Sequence, residues 1–175
     1  MTDASGESLR HAFEEARARG DADDQQVSEE TVQALTFELG GEWYGFHLAD
    51  LVEIIGGVEI TPIPFTADHV AGVINHRGSV VPVVDLKRVF GLTGRFRRDT
   101  GRIVLVSSAG LVVGFTADEI SAIVTAPRRA LEPPLTTIEK VKADYIEGCI
   151  RREEGLLVVL SSHALIHELR ARKDV

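Results

Sequence analysis

The sequence contains a single cysteine in 175 residues, Cys149, so no disulfide can form within the chain. It has no apolar run approaching the roughly 18 residues that a membrane-spanning helix needs. Its first residues carry neither the cationic start nor the apolar core of a secretory signal. Together these absences predict a cytoplasmic protein with no direct insertion into a membrane.

Positive charge is also scarce, because 19 Lys and Arg residues face 27 Asp and Glu residues, for a net charge of −8. Residues 1–34 hold nine acidic and three basic side chains, a net of −6, which leaves −2 for the rest. No basic stripe suits a nucleic acid, so no nucleic-acid partner is predicted. Residues 1–32 are interpreted as an acidic leader, either a mobile tail or a short helix over residues 8–19 with a linker.

The sequence also lacks a recognisable catalytic or metal-binding constellation. It has no Gly-x-Ser-x-Gly elbow and no phosphate-cradling glycine loop. His163 and His167 have metal-ligand spacing, but without a third ligand nearby they are interpreted as solvent-facing. Cys149 is expected to be a buried structural thiol, and Asp85 and Asp118 are expected to cap a following turn or helix. We therefore expect no enzyme activity, no cofactor and no metal.

Short strands are the main structural signal. Residues 35–39 alternate between apolar and polar, which predicts a half-buried strand that begins near Gln33. Gly40-Gly41 predicts a hairpin turn, and a second hairpin is expected around Ala109-Gly110. An amphipathic helix is predicted over residues 161–172 at the end of the chain.

The two halves of this strand-rich region resemble each other. Gly45-Phe46 recurs 69 residues later as Gly114-Phe115, and Gly72 recurs 76 residues later as Gly148. Short, evenly spaced strands suggest one small barrel over residues 35–92 and another over residues 102–160. Barrels of this size are marginal alone, so the two are expected to share an apolar interface.

One polar turn distinguishes the first half from the second. Asn75-His76-Arg77-Gly78 precedes a run, residues 80–84, that is apolar on both faces and so is buried or covered by a partner. The second half has Arg151-Arg152-Glu153-Glu154 there, so the fold does not require the turn, and a binding role is favoured. Glu53 is the expected bidentate partner of Arg77 at the edge of an apolar groove. The alternative is a surface ion pair worth at most about 1 kcal/mol.

These motifs give the chain a family resemblance. The segments that carry it are Tyr44-Gly45-Phe46, Leu51-Val52-Glu53-Ile54, residues 72–78, Val81-Pro82-Val83-Val84-Asp85-Leu86, Val112-Val113-Gly114 and Gly148. Over residues 33–170 the sequence resembles the CheW-like coupling proteins of bacterial chemotaxis. The resemblance implies an all-β fold of two packed five-stranded SH3-like barrels with a C-terminal helix.

The resemblance also implies a function and two partners. The protein would be a non-enzymatic adaptor between methyl-accepting chemoreceptors and the histidine kinase CheA, cytoplasmic and recruited to membrane-associated receptor arrays. The receptor's cytoplasmic hairpin tip would bind in the groove between the barrels, at Leu51, Glu53, Asn75, Arg77, Ile103 and Gly114. The regulatory domain of CheA would dock on the first barrel's outer face, near Tyr44, Phe46 and Leu48.

Three departures from the family pattern leave alternatives open, and one of them is an acidic leader longer than the adaptor needs. His76 stands where leucine is common, either as an exposed bystander or as a pH-sensitive contact. Ser161-Ser162 replaces an Asp or Asn followed by an aliphatic residue. One alternative is a CheW-like adaptor of a pilus-motility or developmental array. An alternative of another class is a small-molecule sensor or an enzyme that uses the groove between the barrels.

Overall fold

The computed structural model describes residues 30–94, 96–97, 101–134 and 143–171. The acidic leader lies outside the described residues except for its last three positions, as does the helix expected over residues 8–19. The first strand begins at Thr31, two residues before its expected start.

Short strands dominate the described residues, as the sequence predicts. Two α-helices occur among them, α1 (Leu86–Val89) and α2 (Ser162–Ala171), and the second confirms the amphipathic helix expected at the end of the chain. The strands are β1 (Thr31–Leu39), β2 (Glu42–His47), β3 (Leu51–Gly56), β4 (Val70–His76), β5 (Ser79–Val84), β6 (Arg102–Ser108), β7 (Leu111–Ala117), β8 (Glu119–Pro127), β9 (Ile146–Arg152) and β10 (Gly155–Leu160).

Both expected hairpins form. Gly40-Gly41 joins β1 to β2, and Ala109-Gly110 joins β6 to β7. All four turn residues have positive φ, between 50° and 84°. Two-residue turns of this kind match the right-handed twist of the flanking strands, which is why they favour hairpins.

The expectation that β1 is half-buried is wrong at Thr36, which is fully buried. β8 runs along β1 with a register shift between Leu35 and Phe37. At this bulge the Thr36 hydroxyl donates to the Ala122 carbonyl oxygen (2.8 Å) and accepts from the Ala122 N–H (3.2 Å). The threonine is buried without penalty because its side chain supplies the hydrogen bonds that the interrupted ladder lacks.

The strands form two five-stranded sheets, and each sheet takes strands from both halves of the sequence. Sheet A has the order β8-β1-β2-β10-β9, and sheet B has the order β3-β6-β7-β5-β4. The expected barrels over residues 35–92 and 102–160 are therefore wrong as contiguous units. The reason is that β2 leads through the short turn Leu48–Asp50 directly into the other sheet, so β1 and β2 separate from β3, β4 and β5.

The internal repeat is nevertheless confirmed by this exchange. Each strand of the first half has an equivalent five places later in the chain, so that β1 matches β6 and β2 matches β7. If every strand in sheet A is exchanged for its equivalent, the strand order becomes that of sheet B. The parallel ladders match as well, since Val83 lies opposite Gly114 and Val159 lies opposite Gly45. The first two strands of each half therefore form a sheet with the last three strands of the other half.

Among the described residues, the sheets are not closed into barrels by continuous ladders. Instead, the chain that follows one edge strand of each sheet forms an isolated bridge to the other edge strand: Thr61, after β3, pairs with Val73 of β4, and Glu132, after β8, pairs with Cys149 of β9. These bridges explain the repeated glycines. A Cβ on Gly72 would overlap the Thr61 carbonyl, and a Cβ on Gly148 would lie 2.7 Å from the Glu132 carbonyl oxygen.

The core lies where the two sheets meet, and a stack of aromatic side chains runs through its aliphatic surroundings. Phe46 of β2 and Phe115 of β7 are fully buried, with ring centroids 5.2 Å apart. Phe37 and Tyr44 extend this stack within sheet A, and Phe90 continues it beyond α1. Phe46 and Phe115 are equivalent positions of the repeat, so the two halves meet through the same residue, as in a two-fold arrangement.

A partly buried polar cluster also ties the sheets together. The Lys87 ammonium of α1 lies 2.8 Å from the Asp118 carboxylate, which also accepts from the Gly40 N–H (2.9 Å) in the β1–β2 turn. Asp118 was expected to be a cap, and this prediction is wrong because its carboxylate instead links three elements. Asp85 does cap α1, since its side chain accepts from the Lys87 N–H (3.0 Å). Ser161 caps α2 in the equivalent way.

The glycine at the β4 bridge yields a test of the fold. We expect Gly72→Ala to lower the free energy of unfolding by about 3 kcal/mol, because it adds a backbone clash to a φ of 139°. Gly78→Ala is the matched control, since its φ is 85° but no atom lies within 4 Å of the added Cβ. It should cost only about 1 kcal/mol. Equal losses in urea unfolding would contradict the role assigned to the bridge.

Candidate partner-binding groove

The turn between β4 and β5 presents one cation at the surface. Arg77 and Gly78 both have positive φ, 50° and 85°, which gives a tight two-residue hairpin. The Asn75 side chain fixes it, because Oδ1 accepts from the Gly78 N–H (3.0 Å). The left-handed conformation is unfavourable for arginine, and the Asn75 contact and the adjacent glycine help to stabilise the turn.

Arg77 reaches Glu53 of β3, as the sequence predicts. Nη2 of Arg77 lies 2.8 Å from Oε2 of Glu53, and Nε2 of His76 lies 3.6 Å from the same oxygen. The Arg77–Glu53 contact joins one pair of atoms, so the expected bidentate geometry is not formed. Because the Arg77 side chain is 78% exposed, the ion pair adds little to stability. It orients the guanidinium at the surface.

Next to this pair lies a groove of about 590 Å³. It runs between sheet B and α2. No strand of sheet A lines it, so it does not lie at a junction of two barrels, where the sequence predicts a groove. Its floor and walls are mainly apolar. The apolar lining residues include Val52, Val80, Pro82, Leu111, Val112 and Ile166.

The apolar floor is partly uncovered. Val80 is 73% exposed and Val52 is also exposed, whereas Val81, Val83 and Val84 of the same stretch of chain are buried. The sequence predicts that residues 80–84 are buried on both faces or covered by a partner. Val80, the first residue of this run, is exposed, so it is the position that a partner would cover. An exposed apolar strip beside an oriented cation is typical of a protein-binding site.

The residues expected to bind a receptor divide into two groups. Asn75, Arg77 and Glu53 lie together at the rim of the groove. Leu51, Ile103 and Gly114 are buried in sheet B. A Cβ on Gly114 would lie 2.7 Å from Cγ2 of Ile103, so these two residues pack against each other. The buried group shapes the sheet beneath the groove and does not reach its surface.

The residues expected to bind the kinase are also mostly internal. Tyr44 and Phe46 are buried in the aromatic core, and Leu48 is half-buried. The Tyr44 hydroxyl donates to Glu42 (2.6 Å). Burial raises the pKa of Tyr44 well above its usual range, and the adjacent Glu42 carboxylate adds to this effect. Direct contact with a partner is therefore open to Leu48 and not to the two aromatic side chains.

Sequence reasoning missed the wall that α2 provides. Ile166, Leu169 and Arg170 line the groove, although the apolar face of this helix was interpreted only as core. The helices at equivalent places in the two halves differ in length, with four residues in α1 and ten in α2, and no pattern in the sequence predicts that the longer helix reaches sheet B. The extra turns in the second half are what reach across to sheet B.

The described residues show no metal site or membrane span as an alternative to the groove. Within residues 30–94, 96–97, 101–134 and 143–171, no group of three or more metal-ligating side chains occurs. The rings of His163 and His167 lie 6.0 Å apart, and the Cys149 thiol is buried as expected. No helix in the described part of the chain is long and apolar enough to span a membrane.

Comparisons with known proteins agree on one family. The model of the CheW-like domain matches residues 33–170. The chain is 27% identical to the chemotaxis protein CheW of Treponema pallidum, over 84% of this chain and 89% of that protein. It is also 27% identical to the chemotaxis protein CheW of Helicobacter pylori, over 87% and 92%.

A solved structure supports the same conclusion at the level of the fold. The crystal structure of the scaffolding protein TtCheW from Thermoanaerobacter tengcongensis matches with a TM-score of 0.70 and 30% identity. The match covers 78% of this chain and 92% of that one. With the family model, the curated relatives and the fold in agreement, this chain belongs to the CheW-like domain family.

Proposed function

We propose that the protein is a non-enzymatic scaffold that couples chemoreceptors to the histidine kinase CheA in chemotaxis. Membership of the CheW-like family supports this role, as do relatives named chemotaxis protein CheW and a structural match named as a scaffolding protein. The observation that carries the proposal is the groove, where bare valines lie beside an oriented arginine.

The groove suits a helical partner such as the hairpin tip of a receptor's cytoplasmic domain. Helices bind grooves through apolar side chains spaced three or four residues apart. Val52, Val80 and Leu111 provide apolar surface for such anchors. Arg77 would then pair with a carboxylate of the helix and set its register, because one charged contact at the rim specifies position more than it adds affinity.

Glu53 has a defined part in this mechanism. It places Arg77 at the rim through one contact of 2.8 Å, which the exposed guanidinium can exchange for a contact with a partner carboxylate. Because this contact uses only one guanidinium nitrogen, the other donors of Arg77 remain free to bind a partner carboxylate. Asn75 supports the same geometry by fixing the turn from below.

A scaffold also needs a second surface for the kinase. Leu48 is the one residue of the expected kinase site whose side chain is not buried. The largest exposed apolar side chain among the described residues is Phe65, which is fully exposed in the loop between β3 and β4 and has Ile63 exposed beside it. We include this loop in the kinase-facing surface.

The Phe65 loop is held in a defined shape. Its base is fixed by two backbone hydrogen bonds between Thr61 and Val73, 2.8 Å and 2.9 Å long. The Thr66 hydroxyl closes the loop by donating to the Ile63 carbonyl oxygen (3.0 Å). Phe65 has a φ of 61°, which is strained for an aromatic residue, and such strain is concentrated at functional sites. Preorganised apolar side chains bind partners at a lower entropic cost.

Charge reversal at the rim tests receptor binding. We expect Arg77→Glu to weaken binding of a receptor hairpin fragment at least about 30-fold, because it replaces attraction by repulsion, with under about 1 kcal/mol of lost stability. Arg151→Glu is the matched control, since Arg151 is also exposed and paired with a carboxylate, Glu132 at 3.1 Å. A pull-down in which Arg77→Glu retains the receptor as well as Arg151→Glu does would contradict the proposal.

Two variants distinguish the roles of the two surfaces, and each variant serves as the control for the other. Val80→Asp should abolish receptor binding and leave kinase binding intact, because Val80 is exposed in the groove beside the β4–β5 turn, whereas the Phe65 loop leads into the opposite end of β4. Phe65→Ser should weaken kinase binding about tenfold or more and leave receptor binding intact. Binding is measured with purified CheA and a receptor fragment. Loss of both partners in either variant would contradict the assignment of separate surfaces.

A further inference from the structure

Two side chains at the rim approach the same carboxylate oxygen of Glu53, and only Arg77 is within hydrogen-bond distance of it. Oε2 of Glu53 lies 2.8 Å from Nη2 of Arg77 and 3.6 Å from Nε2 of His76. The two cationic candidates differ in their surroundings, because the His76 side chain is 16% exposed and the Arg77 side chain is 78% exposed. His76 is therefore held near the carboxylate, whereas Arg77 has solvent space into which it can move.

We propose that His76 is a protonation-dependent regulator of the groove, which strengthens the binding of an acidic helical partner as the pH falls. This inference rests on the proposed function, since it assumes that the groove binds a receptor helix through Arg77. It deepens that function by assigning a regulatory role to a residue that makes no contribution to the apolar floor.

Competition for Glu53 provides the mechanism. When His76 is neutral, Glu53 and Arg77 compensate each other and the rim pair has no net charge. When His76 is protonated, the imidazolium also compensates Glu53, and the three side chains carry a net charge of +1. Arg77 is then less strongly held by Glu53 and pairs more readily with a carboxylate of the partner. Partly buried charges are screened little by salt, which favours His76 as the replacement partner of Glu53.

The other charges around the groove do not change this sign. β3 contributes Glu53, the β4–β5 turn contributes Arg77, and α2 contributes Arg170. The residues that β5 and the β6–β7 turn place in the lining are uncharged. Arginine side chains keep their charge throughout the range in which histidine titrates. Arg170 therefore adds a constant attraction for an acidic helix, and His76 adds the part that depends on pH.

The test measures binding of a receptor hairpin fragment to the full chain by calorimetry between about pH 8 and about pH 5.5, where histidines change charge. For the unmodified protein we expect the dissociation constant to fall about fivefold or more over this range. His76→Gln keeps a polar side chain of similar size but cannot titrate, so its binding should depend much less on pH. Any titration within the receptor fragment affects both proteins equally and cancels in their ratio.

His47→Gln serves as the matched control. His47 also contacts a carboxylate, with Nε2 2.6 Å from Oε2 of Glu147, but neither residue lines the groove. This variant should keep the pH dependence of the unmodified protein. The same pH dependence in His76→Gln as in the unmodified protein would overturn the inference and leave the proposed function standing.

A second measurement does not depend on the partner. The side-chain NMR signals of Arg77 should shift between about pH 8 and about pH 5.5 in the isolated protein, and the His76→Gln and Glu53→Gln variants should each lose this shift. Arg77 signals that do not respond to His76 would overturn the inference alone. Failure of the receptor fragment to bind at any pH would overturn the proposed function, and the inference with it.

Discussion

Phe46 and Phe115 pack against each other at the junction of the two sheets, with ring centroids 5.2 Å apart, and the rest of the structure is arranged around this contact. They are the same position of an internal repeat, and each lies on a strand that pairs in parallel with the last strand of the other half. Because each sheet is completed by strands from both halves, neither half can form its sheet alone. The shared aromatic core is thus also what makes the two sheets one folding unit.

The sequence predicts the local elements of this fold well, because turns and face alternation leave local signals. Gly40-Gly41 and Ala109-Gly110 form the expected hairpins, and the 69- and 76-residue offsets correctly identify equivalent strands. The exchange of strands between the halves could not be predicted, because a hydrophobic pattern shows which face of a strand is buried but not which strand lies beside it. Thr36 was misassigned for a related reason, since its burial depends on a bulge opposite Ala122.

The candidate site was predicted where its residues are close in sequence or oppositely charged. Arg77, Glu53 and Asn75 do come together at one rim, but Leu51, Ile103, Tyr44 and Phe46 are buried. An apolar residue with a structural role and one with a binding role look alike in a sequence, so only burial separates them. Val80 shows the converse, because it is apolar but exposed beside a polar turn, which favours a role in binding a partner. The wall formed by α2 depends on tertiary packing alone.

The central proposal is that one folded unit binds two partners at once on separate surfaces, the groove of sheet B and the Phe65 loop. The most direct test is the mass of the complex formed when the purified chain is mixed with a receptor hairpin fragment and CheA, measured by sedimentation velocity. The account predicts a species that contains all three proteins. Two binary complexes in which either partner displaces the other would contradict it.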